Sequence, residues 1–206
     1  FTEGEPNCYV IPLAVASGRD VERVVIDHPA AAVAWIGAVP GEGESGTLLF
    51  DASVEPAFAT TALDAIAKRR TFTSPRSGAV LRCTSEGDLR RLLADTNPAD
   101  LAVVVPSVEQ SNTSVMFEQR AVLKLFRRAQ QGVNPDLEIG RVLRRSNYEH
   151  TAPFLGAIEY VPTAGDTRTV AVLTSYVPNE GDAWRYTQDA LSLFYERVLY
   201  DVDDRD

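Results

Sequence analysis

Lysine is scarce in this chain. Of 20 basic residues only Lys68 and Lys124 are lysines; every other one is arginine. Histidine and cysteine are as rare, with two of each. His28 and His150 have no ligand companion at helix or loop spacing, and there is no C-x-x-C, so a zinc site has no donors to build on. Two histidines leave room for a Ser-His-Asp arrangement, but no stretch resembles a nucleophile elbow. Cys8 and Cys83 lie far apart in apolar, strand-like settings. They read as buried free thiols of a reducing cytoplasm rather than a disulfide. Positive charge is also short: the net charge is −9, which argues against a nucleic-acid surface. No apolar run reaches the ~18 residues that span a bilayer, and no signal peptide is visible. The expectation is a cytoplasmic protein with neither nucleic acid nor membrane as partner.

What is present is a globular composition, 45% hydrophobic and 24% charged. Residues 7–50 alternate apolar runs with turns: NCYVIPLAVA, VERVVIDH, AAVAWIGAV and GTLLFDA read as strands of an antiparallel meander. A helix is predicted over about 55–69, with Phe58, Leu63 and Ile66 on its apolar side. GAVLRC, 78–83, reads as a strand. SEGDLRRLLAD reads as a short helix, with Ser85 and Asp88 as a capping box. TNPAD, 96–100, is a break. Strands follow near 101–107, 113–118, 121–126, 154–161 and 169–176. Helices begin at Asn134 and near Asp182, the second running to about Tyr200. Trp184, Leu191, Phe194 and Val198 fall at near-helical spacing and are expected to pack a core. The pairs Arg90-Arg91, Arg127-Arg128 and Arg144-Arg145 read as solvated faces.

GEGESG, 41–46, matches a glycine-rich phosphate loop literally. Glu42 and Glu44 would face phosphate with like charge, and no lysine follows on the next strand. It reads as a hairpin turn.

Lys124 is the anomaly. In AVLKLF it alternates with Val122 and Phe126 on one strand face, so it either snorkels to water as an edge-strand lysine or meets a partner. A compact ammonium suits a point charge such as a phosphate oxygen. Upstream lies a polar loop, Gln110-Ser111-Asn112-Thr113-Ser114. Downstream, NPDLEIGRVL offers Asn134 as N-cap, Pro135 at the first helical position and Glu138 near the helix start. A polar loop, a strand lysine and a carboxylate on the next helix are the parts of a kinase small lobe. TVAVLTSYVPNEGDAW, 169–184, is an apolar strand that Pro178 ends, running into an extended segment and a helix.

Together VEQSNTSVMF, AVLKLFRR, GVNPDLEIGRVL and YVPNEGDAW resemble bacterial maltokinase, especially the form fused to trehalose synthase. The likeness covers 100–199 closely and 1–98 more loosely, as part of a cap. It implies an α+β fold: an antiparallel-sheet cap subdomain at 1–98, then an aminoglycoside-phosphotransferase-like N-lobe at 99–176. Residues 177–206 would be the hinge and first helix of an absent C-lobe. It implies ATP and Mg²⁺ as cofactors and maltose as substrate, giving maltose 1-phosphate and ADP and feeding α-glucan synthesis from trehalose. Carried over, Gln110, Ser111, Asn112, Thr113 and Ser114 form the phosphate loop, Lys124 is the phosphate lysine, Glu138 its partner, and Tyr176 and Val177 lie at the adenine hinge. A catalytic Asp in a histidine-containing loop and an acidic Mg²⁺ motif are also implied. Neither His28, before Pro29-Ala30-Ala31, nor His150, before Thr151-Ala152-Pro153, opens such a loop. Both motifs are expected beyond residue 206. The start, FTEGEP, and the end, YDVDDRD after a long helix, read as cuts through a longer protein. The fragment alone is expected to be inactive and to bind ATP weakly. The alternatives are a non-catalytic module that docks to trehalose synthase or self-associates, and a small-lobe relative that never had kinase activity.

Overall fold

Among the described residues ten strands and five α-helices form, following alternating apolar positions and turn residues. The computed structural model describes residues 7–37, 46–94, 96–105, 112–179, 181 and 183–203. The chain divides into two compact units, Phe1–Tyr176 and Val177–Asp206.

The first unit begins with β1 (Leu13–Ala16), helix α1 (Arg19–Asp27), β2 (Ala32–Ile36) and β3 (Thr47–Asp51). These strands make an antiparallel sheet in the order β1-β3-β2. Residues 21–28, expected as a strand, are helical as far as Asp27. Val21 and Val24 sit one helical turn apart and are buried with Ala16, Leu48 and Phe50. Acidic Asp20 and Glu22 in the first turn suit the helix dipole. Burial of one stripe outweighs the β preference of three valines. The strands on either side of GEGESG pair antiparallel, Ile36 opposite Thr47, as a hairpin connection demands; residues 41–45 themselves lie outside the described residues.

Next come α2 (Pro56–Ala67), β4 (Thr71–Thr73), β5 (Val80–Ser85), α3 (Gly87–Leu93), β6 (Val103–Val104), β7 (Asn112–Phe117), β8 (Ala121–Phe126), α4 (Pro135–Arg145), β9 (Phe154–Val161) and β10 (Arg168–Ser175). The strands form one seven-stranded antiparallel sheet, β4-β5-β9-β10-β8-β7-β6. The fold is therefore α+β with antiparallel sheets. β6 to β10 are the five antiparallel strands expected after residue 98. β4 and β5 precede residue 98 yet hydrogen-bond into the same sheet through β9. The sheet thus crosses the boundary placed there.

The sheet buries both faces. On one, Leu63 and Ile66 of α2 and Leu89 and Leu93 of α3 pack over Val115, Phe117, Leu123, Leu125 and Leu155. On the other, Leu137 of α4 packs with Phe126, Phe154, Ala157 and Val172. Gly156 lets α2 approach β9: a Cβ there would stand 2.5 Å from Ile66 Cγ2 and 2.5 Å from the Thr84 carbonyl oxygen. The expected capping box is not formed. Glu86 occupies the N-cap of α3, and its side chain makes no capping bond to the helix. Ser85 is the last residue of β5, and its hydroxyl accepts a hydrogen bond from Arg69 Nε at 3.1 Å.

The second unit holds α5 (Ala183–Asp203). Trp184, Leu191, Phe194 and Val198 are exposed there rather than packed in a core. Helical spacing defines a stripe but not what covers it. No helix among the described residues is long and apolar enough to cross a membrane.

Candidate functional site

The site is built on the α4 face of the sheet. β8 alternates strictly: Leu123 and Leu125 point to the α2 face, and Val122, Lys124 and Phe126 to the α4 face. Lys124 lies two strands from one edge of the sheet and four from the other, so its stem is flanked by Ser114 of β7 and Val172 of β10. It is no edge-strand lysine. Its Nζ stands 2.7 Å from Asp136 Oδ2 and 5.3 Å from the centroid of the Phe126 ring. Both charged side chains stay near half-exposed, so the ammonium is accessible to a further anion.

Asp136 is held by its helix. The Asn134 side chain caps α4 by accepting from the Asp136 N–H at 2.9 Å. The Asn134 N–H in turn donates to the hydroxyl of buried Thr169 at the start of β10, 3.0 Å away. Those bonds fix the first turn of α4 against the strand beside Lys124. Further along the helix, Arg141 Nη2 donates to Glu159 Oε2 of β9 at 2.8 Å, and Glu159 is buried. Arg144 reaches Glu86 at 3.3 Å. These pairs clamp α4 to β9 and to the N-cap of α3.

The expected Lys124–Glu138 pair is replaced by Lys124–Asp136. Leu137 is fully buried, and its neighbours on the helix project about 100° to either side. Asp136 falls on the Lys124 side; Glu138 falls on the other and is exposed.

The loop expected at Gln110–Ser114 is also redrawn. Gln110 and Ser111 lie outside the described residues. Asn112, Thr113 and Ser114 are strand residues of β7, opposite Phe126, Leu125 and Lys124. Directly opposed residues share a face. Asn112 and Ser114 therefore stand on the Lys124 side, and Thr113 does not. The Thr113 hydroxyl accepts from Arg127 Nε at 2.9 Å. Tyr176 is half-buried, and its N–H donates to the Arg120 carbonyl in the β7–β8 turn at 2.8 Å. Val177 is exposed, and its carbonyl accepts from the Asn179 side chain at 3.1 Å.

Sequence reasoning missed Arg127. It is not a solvated charge. Besides Thr113, it donates to Asp51 Oδ2 at 2.5 Å and Ser53 Oγ at 2.6 Å, and Ser53 is buried. It joins β3 of the small sheet to β7 and β8 of the large one. Arg144 is half-buried as well, whereas Arg90, Arg91, Arg128 and Arg145 are exposed as expected.

Among the described residues no group of three or more His, Cys, Asp or Glu side chains could hold a metal ion. No protein-family model matches the chain.

Proposed function

We propose that this chain is the nucleotide-facing N-terminal part of a maltokinase-like sugar kinase. The observation that carries the reading is the Lys124–Asp136 pair. Lys124 lies on the third of the five strands that follow residue 98, and its carboxylate partner lies on the helix after that strand. Protein kinases place their phosphate lysine on a third strand and pair it with a helix carboxylate in this way. The partner here is an aspartate in the first helical turn, nearer the sheet than Glu138.

Phosphoryl transfer asks for positioning and charge neutralisation more than covalent help. Lys124 would meet a triphosphate oxygen, and Asp136 would keep the ammonium aimed. Ser114 and Asn112, on the same face, would add polar contacts, with Gln110 and Ser111 before them. Backbone groups at Tyr176 and Val177 would meet adenine. The Arg120 bond already engages the Tyr176 N–H, so adenine would use the Tyr176 carbonyl. The γ-phosphate of ATP would pass to the anomeric hydroxyl of maltose in the cytoplasm. Mg²⁺ ligands and the catalytic base would come from residues beyond this chain.

A second reading, a docking module without catalysis, is favoured by one face of the small sheet. Leu13, Val15 and Ile36 are exposed there around Leu49.

The deciding experiment starts from the full reading frame that carries this chain. Its protein should release ADP with maltose and MgATP, and Lys124→Met should lower kcat/KM on the order of 10²-fold. Activity close to the unsubstituted level would refute the role of Lys124. The 206-residue chain should show no turnover and no micromolar MgATP binding by calorimetry. An open site with one lysine and an opposing net charge of −9 screens and repels the triphosphate.

A further inference from the structure

The face of the large sheet opposite Lys124 holds a cavity of about 620 Å³. Leu123 and Leu125, which flank Lys124 in sequence, form part of its floor. α2 lines one side through Ala62 and Ala65, and the stretch 8–12 lines another. Among the described residues no charged side chain lines it. Two of its hydroxyls are engaged locally: that of Thr61 donates to the Ala57 carbonyl at 2.7 Å, and that of Ser74 accepts from the Ser77 N–H at 3.3 Å. The floor strands are paired to one another, so their backbone groups offer little to a ligand.

The walls are fixed rather than loosely packed. The 8–12 stretch is pinned by the Val10 N–H to the Arg127 carbonyl at 2.8 Å and the Ala129 N–H to the Cys8 carbonyl at 2.9 Å. From Cys83 on β5 the floor crosses β9 and β10 to Leu125 on β8. Three strand spacings make that about 14 Å. Tyr9, Ile11 and Phe72 line the cavity and are themselves exposed, which marks its mouth. Small-molecule sites are commonly preformed apolar cavities of about 300–1,000 Å³. Left unfilled, an apolar volume of this size forfeits dispersion contacts along its whole lining.

We infer that this cavity binds a neutral, hydrocarbon-rich small molecule, at a site separate from the Lys124 face. An ionised ligand is disfavoured because no counter-charge among the described residues lines the walls to offset its desolvation.

The test titrates the whole chain with N-phenyl-1-naphthylamine, a neutral fluorophore that brightens in apolar surroundings. Saturable binding at one site per chain is expected. Ala62→Phe on α2 and Ala79→Leu just before β5 fill the cavity and should each weaken binding at least about tenfold. Leu13→Ser with Val15→Ser, on the exposed face of the small sheet, should leave it unchanged. Bound probe should also slow modification of Cys83 by 4,4′-dithiodipyridine, a readout that needs no filled variant to fold. Absence of saturable binding would overturn the assignment. So would binding lost in the Leu13/Val15 variant, or modification of Cys83 at the same rate with and without probe.

Discussion

Lys124 and Asp136 form an ion pair of 2.7 Å between the middle of a strand and the first turn of the next helix. Both side chains are near half-exposed, so the pair contributes at most about 1 kcal/mol to stability. Lys124→Met and Asp136→Asn should therefore leave the urea midpoint nearly unchanged. In the full reading frame, Asp136→Asn should lower kcat/KM by roughly tenfold or more and Glu138→Gln by little. The reverse order would restore Glu138 as the working partner.

Arg127 should matter to folding instead. Its guanidinium binds Asp51, Ser53 and Thr113 at once. Arg127→Ala leaves a half-buried carboxylate and a buried hydroxyl without their donor, at a cost of roughly 2–4 kcal/mol. Arg127→Lys should recover only part, because an ammonium cannot reproduce the planar fork. Urea unfolding measures both, and equal stability of the lysine variant would remove the argument from geometry.

Gly156→Ala should destabilise by about 1–3 kcal/mol, since its methyl group would meet the Thr84 carbonyl oxygen and Ile66 at 2.5 Å. Backbone on a neighbouring strand cannot swing aside as a flexible side chain can. An unchanged melting temperature would mean that α2 and β5 retreat freely from β9.

Burial pushes the Cys83 thiol above its ordinary range. The folded state thus holds its proton more tightly than the unfolded one. The resulting stability is present below the unfolded thiol value of about 8.5 and is lost as pH rises through the folded value. At pH 8.5 a thiol reagent should modify half-buried Cys8 first and Cys83 much later. Mass mapping of partially labelled chain distinguishes the two, and equal rates would contradict the buried, protonated state.

Helix and strand positions governed by local signals were legible in the sequence. Asn134 caps α4 and Pro135 opens it, as their side chains dictate. The strand over 121–126, with Lys124 among apolar neighbours, follows from two-residue periodicity. Where local signals conflicted, packing decided. The valines of α1 favour strand, yet Val21 and Val24 bury together only in a helix.

What the sequence by itself determined was an α+β antiparallel chain with one conspicuous lysine and carboxylates close behind it. The tertiary structure alone decided which carboxylate serves. Asp136 and Glu138 are two residues apart, and only the docking of Leu137 into the sheet sets which of them turns toward β8. It also decided that Arg127 bridges residues 51, 53 and 113, and that β5 joins β9 across more than seventy positions. Periodicity and capping act within a turn or two of chain. Pairings between distant segments depend on how whole elements rotate and pack, and no local pattern encodes that.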